Sequence, residues 1–128
     1  MASVVRVLLA DDNVQFRAAL RRLLERDPAI TVVAEARDGA EAIGLTAEHN
    51  PDVVLMDVSM PGMDGLAATH ELKSRFPQLT VLMLSIGNKE DDIAAGLSGG
   101  AAEYLVKGLP AREIVEAIKR HGPVFEGA

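Results

Sequence analysis

The sequence predicts an α/β domain built as a doubly wound parallel sheet. Three observations predict it: short apolar runs rich in branched residues recur along 128 residues, an amphipathic helical stretch follows each of them, and polar residues punctuate the joints. The first run, Val4 to Leu9, is almost continuously apolar, as a strand covered on both faces must be. After it Phe16, Leu20, Leu23 and Leu24 recur at helical spacing with Arg17, Arg21, Arg22 and Glu25 between them, and Asp27-Pro28 closes the helix. The alternation then repeats: strand Thr31 to Ala36, helix from about Asp38 to His49, strand Asp52 to Asp57, helix from about Gly65 to Arg75. Leu79 to Leu84 reads as the fourth strand, Lys89 to Leu97 as the fourth helix and Ala101 to Val106 as the fifth strand. Ala111 to Lys119 reads as the fifth helix, with Pro110 at the first-turn position that proline favours. Strands alternating with helices in so short a chain imply right-handed crossovers that cover both faces of one sheet.

Composition narrows the function classes. The chain is 48% hydrophobic and 25% charged, an ordinary globular profile for one domain. Thirteen Lys and Arg against 19 Asp and Glu give a net charge of -6, which repels a phosphate backbone, so direct nucleic-acid binding is not expected. With 0 cysteines there is no thiol redox chemistry, disulfide or thiolate zinc site. The longest apolar runs are strand length, far short of the roughly 20 residues that span a bilayer. Met1 to Ala10 carries Arg6 and runs into Asp11 and Asp12, unlike a signal peptide, so a cytoplasmic protein without membrane attachment is expected.

In sheets of this kind the site lies beyond the carboxyl ends of the strands, where the strand order reverses. There the sequence puts Asp11 and Asp12 after the first strand, Asp57 on the third, Ser85 after the fourth and Lys107 after the fifth. A single such Asp would most simply cap the next helix, Ser85 alone would be a turn residue and Lys107 alone a solvated lysine. Three carboxylates brought together repel one another unless a cation holds them, and oxygen ligands without Cys or convergent His suit a hard ion such as Mg²⁺. Asp57 is then available as a nucleophile toward a phosphoryl group, with Ser85 and Lys107 completing an electrostatic clamp.

Asp11-Asp12 after an apolar strand, Asp57 followed by Met60-Pro61-Gly62-Met63-Asp64-Gly65, Ser85, and Tyr104-Leu105-Val106-Lys107 together resemble the receiver domain of two-component response regulators. The match covers almost the whole chain. Gly100 through Lys107 to Ile118 is most similar to receivers of the branch with a helix-turn-helix output, the NarL/FixJ/LuxR type. The resemblance implies a flavodoxin-like five-stranded sheet of order 2-1-3-4-5, with residues 1–121 as the receiver and residues 122–128 as a tail or the start of a linker to an output domain. It implies Asp57 as the phosphoacceptor, and Asp12, Asp57 and the backbone carbonyl of Ser59 as Mg²⁺ ligands with Asp11 acting through a bound water. Ser85 and Lys107 would bind phosphoryl oxygens, and Tyr104 would be the switch aromatic that follows Ser85. The implied partners are a sensor histidine kinase or phosphotransfer protein and, through the face of the fourth helix, fifth strand and fifth helix, a second copy. Ile114, Val115 and Ile118 on that face fit a core or an interface equally well. The implied role is a signalling switch regulating transcription through an attached or partner DNA-binding domain, with no turnover beyond its own phosphorylation and dephosphorylation.

Two departures matter. Ile86 follows Ser85 where the family has a small residue, so its bulk is expected to narrow access to the phosphoryl site. Gly108 follows Lys107 where many receivers have proline, so a cis bond after the lysine is not carried over, and glycine fits either geometry. Other classes fit less well: a haloacid dehalogenase-type phosphatase needs a second Asp where Ser59 stands, a flavodoxin-like carrier needs a first loop that Asp11 and Asp12 would spoil, and a degenerate scaffold would not keep the whole set. His49, His70 and His121 read as surface residues, Met60 and Met63 as packing around Pro61, and Glu90-Asp91-Asp92 as an acidic first helical turn or part of a partner surface. Tyr104 also reads as a half-buried strand aromatic with a wet hydroxyl.

Overall fold

The computed structural model describes residues 4–60, 62–86 and 90–122. Pro61, Lys89 and the tail from Pro123 onward lie outside the described residues, as do the side chains of Glu90, Asp91 and Asp92. The elements alternate as β1 (Val5–Ala10), α1 (Val14–Leu24), β2 (Ile30–Ala36), α2 (Gly39–His49), β3 (Val53–Asp57), α3 (Gly65–Arg75), β4 (Thr80–Ser85), α4 (Glu90–Ser98), β5 (Glu103–Val106) and α5 (Ala111–His121). All strand pairs are parallel and the sheet order is β2-β1-β3-β4-β5.

Because successive strand residues point to opposite faces, one run of apolar residues feeds two core layers. Val7, Leu9, Val53, Leu55, Leu82 and Leu84 pack against Leu20 and Leu24 of α1 and Ile114 and Ile118 of α5. Leu8, Ala10, Val54, Met56, Val81 and Met83 face Ala42 and Ile43 of α2 and Ala68 and Leu72 of α3. Ile114 and Ile118 therefore belong to the core, with Val115 partly buried beside them. Leu23, expected on the buried face of α1, is 38% exposed.

Several boundaries move from the expected ones for local reasons. β1 and β4 each lie one residue later: Val4 is 43% exposed, and the Leu79 N–H is turned back to the Phe76 carbonyl at 3.0 Å. β2 begins one residue earlier, where Ile30 comes into register with Val5. The Asp52 side chain instead accepts the Arg6 N–H at 2.8 Å, so β3 starts at Val53. Ala101 does not open β5, because its N–H still closes α4 onto the Gly96 carbonyl at 3.0 Å and Gly100 reverses the chain at φ 111°. Pro110 stands at the N-cap of α5 rather than inside its first turn. That helix runs on to His121, since the Glu103 carboxylate on β5 binds both Arg120, at 2.9 Å, and His121, at 2.5 Å. The His121 ring is thus engaged by Glu103 and only partly exposed, where the sequence predicts a surface residue. Burial opposes ionisation of Glu103, but the Arg120 and His121 hydrogen bonds outweigh it and hold the carboxyl below the usual range.

Side-chain caps set the helix starts: Asn13 accepts from the Phe16 N–H at 3.0 Å, Asp38 from Glu41 at 2.8 Å and Asp64 from Ala67 at 2.9 Å. Asn13, two residues beyond Asp11, is therefore the cap, which frees Asp11 and Asp12 from that task. Gly65 is required by close approach. A Cβ there would lie 1.9 Å from the carbonyl oxygen of Asp57, so only glycine lets α3 begin against the end of β3.

Two alanine substitutions of glycine are expected to act in opposite directions. Gly65→Ala should lower the free energy of unfolding by about 1–3 kcal/mol through overpacking. Gly44→Ala on α2, where a Cβ meets nothing within 4 Å, should raise it by about 0.5–1 kcal/mol. Urea melts of both variants check this, and a neutral Gly65→Ala would contradict the close approach.

Candidate functional site

The order reversal beside β1 opens a crevice between the carboxyl ends of β1 and β3, and the site is built there. Asp11 follows the last residue of β1, its N–H given to the Ala36 carbonyl of β2 at 2.9 Å. Asp57 is the last residue of β3 and is only 4% exposed. Asp12 is exposed, Ser85 closes β4 half-buried, and Lys107 follows β5. Asp12, Asp57, Ser59, Ser85, Ile86 and Lys107 line one open cleft of about 620 Å³. Asp11 lies beneath it, 3% exposed.

Oxygen atoms of Asp11, Asp12 and Asp57, one from each, lie within 4.8 Å of one another. Lys107 is the cation that faces them: its Nζ is 2.7 Å from Asp11 Oδ2 and 3.5 Å from Asp57 Oδ1, and it sits 4.5 Å above the centre of the Phe16 ring. The approach to Asp11 is an ion contact without hydrogen-bonding geometry, so among the described residues Asp11 Oδ2 has no hydrogen bond, while Oδ1 accepts the Asn13 N–H at 2.8 Å. A buried carboxylate oxygen left in this way, between two further carboxylates, is the donor set of a hard metal ion. The acidic cluster can hold such an ion.

Burial and the neighbouring Asp11 charge push the Asp57 carboxyl up to about 6. Lys107 and the Ser59 N–H, 3.4 Å from Asp57 Oδ1, pull it the other way without cancelling the rise.

The structure brings together Asp11, Asp12, Asp57, Ser59, Ser85, Ile86 and Lys107. Ile86 is 84% exposed, so it stands at the mouth of the cleft and not inside it. Tyr104 sits apart from the carboxylates, packed with Leu66 against the second core layer, its ring edge facing Gly96 of α4. Its hydroxyl is buried and unpaired among the described residues, contrary to a wet one. Met60 is buried in the core, whereas Met63 is 38% exposed and seated on Gly39. Among the described residues no peptide bond is cis. Sequence reasoning missed three contributors. Asn13 and Asp64 line the cleft as well as capping their helices, and Phe16, read only as a core residue, is the ring under Lys107. The N-cap spacing before Val14 and Gly65 was the available signal for the first two; none marked Phe16.

A second cleft of about 500 Å³, near Phe76, Leu79 and Gly122, has Asp52 as its sole carboxylate among the described residues, so the chemistry belongs to the acidic cleft.

A five-stranded βα sheet with an acidic triad and a facing lysine at its switch point defines a phosphoreceiver-type domain. The comparisons agree. The model of the response regulator receiver domain matches residues 7–119. The transcriptional regulatory protein DegU of Brevibacillus brevis is 39% identical over 115 residues, which are 90% of this chain and 49% of that protein. The nitrate/nitrite response regulator protein NarL of Escherichia coli K12 is 34% identical over 88% of this chain and 52% of its own. Among solved structures, the signal receiver domain of a NarL response regulator from Mycobacterium tuberculosis superposes with a TM-score of 0.88 at 37% identity, covering 92% of this chain and 95% of that one. This chain belongs to the response regulator receiver domain family, in its NarL/LuxR branch. It spans about half the length of the curated relatives it matches.

In metal-free protein the Asp57 carboxyl should titrate near 6, read by carboxyl carbon NMR. Asp11→Asn should lower that value by removing a like charge, and Lys107→Met should raise it by removing the ammonium. An ordinary Asp57 titration near pH 4 would contradict the burial of the cluster.

Proposed function

We propose that this domain is a phosphorylation switch whose phosphoacceptor is Asp57. The observation that carries the reading is the buried Asp57 carboxylate on a strand end, with two acidic neighbours within 4.8 Å and Lys107 3.5 Å away. An Asp57 oxygen attacks the phosphorus of a phosphohistidine on a sensor kinase or phosphotransfer protein. The phosphorus–nitrogen bond breaks, the imidazole takes up a proton, and an aspartyl phosphate remains. Asp12, Asp57 and the Ser59 carbonyl would hold Mg²⁺ directly, and Asp11, whose Oδ1 is already engaged by the Asn13 N–H, through a water. The ion would neutralise charge on the transferring oxygens.

Lys107 moves from the carboxylates to the new phosphoryl oxygens, and the Ser85 hydroxyl binds another. Drawing Ser85 inward changes the β4 end that Tyr104 lies beside, since Ser85 pairs with Val106 and Met83 with Tyr104. This couples phosphorylation to the α4, β5 and α5 face. With Ile114 and Ile118 in the core, a homodimer on that face would use outer residues such as Arg120, which binds Glu103 of β5. The domain is a switch with no turnover of other substrates, acting in the cytoplasm on transcription through an attached or partner DNA-binding domain. It makes no direct contact with nucleic acid.

Intact mass after incubation with acetyl phosphate and Mg²⁺ should rise by one phosphoryl group, and should not rise in Asp57→Asn or without metal. Phosphate on another residue, or transfer independent of metal, would overturn the reading. Ile86→Ala, by opening the mouth of the cleft, should speed phosphorylation by small donors or hydrolysis of the aspartyl phosphate. Unchanged rates for both would remove Ile86 from the account.

A further inference from the structure

Arg17 lies on α1, on what the helical pattern marks as the polar face, yet its side chain is only 15% exposed. Its Nη1 donates to the main-chain carbonyl of Asp11 at 2.6 Å, and its Nε donates to Glu35 Oε1 at 2.7 Å. Glu35 stands on β2 in register with Leu9, one position before Ala36, and its other oxygen accepts from Arg21 Nη1 at 2.7 Å. The Asp11 residue is therefore held on both sides: its N–H by the Ala36 carbonyl of β2, its C=O by a guanidinium that is itself anchored to β2. That carbonyl belongs to the peptide joining Asp11 to Asp12, so its direction fixes how the two carboxylates leave the chain.

We propose that Arg17, locked by Glu35, is a positioning residue that orients the Asp11–Asp12 peptide and thereby sets the affinity of the acidic cluster for its divalent cation. The proposal rests on the reading of that cluster as a Mg²⁺ site. Outer groups that orient metal ligands change affinity without touching the metal. Arginine suits the task because its fixed fork reaches two acceptors at once, which a lysine ammonium at the end of a flexible stem does not reproduce.

The sign of the effect separates positioning from simple charge. Through space, the Arg17 cation repels Mg²⁺ and the Glu35 anion attracts it, so neutralising them would shift affinity in opposite directions. As one bridge, both losses weaken binding. The experiment is calorimetric titration of the whole chain with Mg²⁺ for wild type, Arg17→Met, Arg17→Lys, Glu35→Gln and the Arg17→Met/Glu35→Gln pair, each with a thermal melt. All four variants are expected to bind Mg²⁺ more weakly, on the order of tenfold, with the pair no weaker than the worse single change. Arg17→Lys is the informative variant if Arg17→Met fails to fold.

Tighter binding by Arg17→Met with weaker binding by Glu35→Gln would overturn the proposal in favour of charge. Wild-type affinity in Arg17→Lys would do the same, and unchanged affinity throughout would leave the bridge a purely structural one. Wild type that takes up no Mg²⁺ would overturn the metal reading and this proposal with it. Wild type that binds, and loses binding in Asp57→Asn, upholds the metal reading whatever the Arg17 variants do.

Discussion

The constraint on which the rest of the structure depends is the burial of like charges at the end of the sheet. The buried Asp11 and Asp57, with oxygens within 4.8 Å of each other, repel by about 3 kcal/mol at an effective dielectric near 20, and the exposed Asp12 adds a smaller, water-screened share. Asp11 and Asp57 are almost completely removed from water, which deepens the penalty. Lys107 offsets part of it, but a single ammonium shared between two carboxylates leaves the Asp57 carboxyl pushed up to about 6. The cluster thus carries an electrostatic cost that a divalent cation would relieve.

That state persists because the surrounding frame overdetermines it. Two core layers fix β1 and β3 from opposite faces, and parallel pairing sets Leu9 beside Leu55 and Ala10 beside Met56 just before the acidic residues begin. Gly65 lets the first turn of α3 press onto the Asp57 carbonyl, and its own N–H binds the Val58 carbonyl at 2.9 Å. Gly39 plays the same part for α2, since a Cβ there would lie 2.6 Å from the Met63 carbonyl. Hydrophobic burial spread over the domain outweighs the local electrostatic cost, as expected where strain collects at functional sites.

The architecture was legible because the inner strands β1, β3 and β4 are buried on both faces, so runs such as Val53 to Met56 carry a signal no helix of that length would. The acidic set was legible because strand-end positions in this fold class converge by topology alone. What could not be read were contacts between elements distant in sequence. Leu23 has the helical spacing of a core residue but faces outward, because α1 packs through Leu20 and Leu24. His121 looks isolated until β5 brings Glu103 beside it, and Tyr104 shows its buried hydroxyl only once α4 is packed against it. Phe16 and Arg17, adjacent in sequence, part to serve Lys107 and the Asp11 carbonyl respectively, a division that periodicity does not encode.

The most direct test of the electrostatic account is calorimetric melting of wild type and Asp57→Asn at neutral pH, with and without Mg²⁺. If repulsion within the cluster is the governing term, Asp57→Asn without metal should be more stable than wild type, and Mg²⁺ should raise the melting temperature of wild type far more than that of the variant. Metal-free Asp57→Asn less stable than wild type, with an equal gain from Mg²⁺, would contradict it.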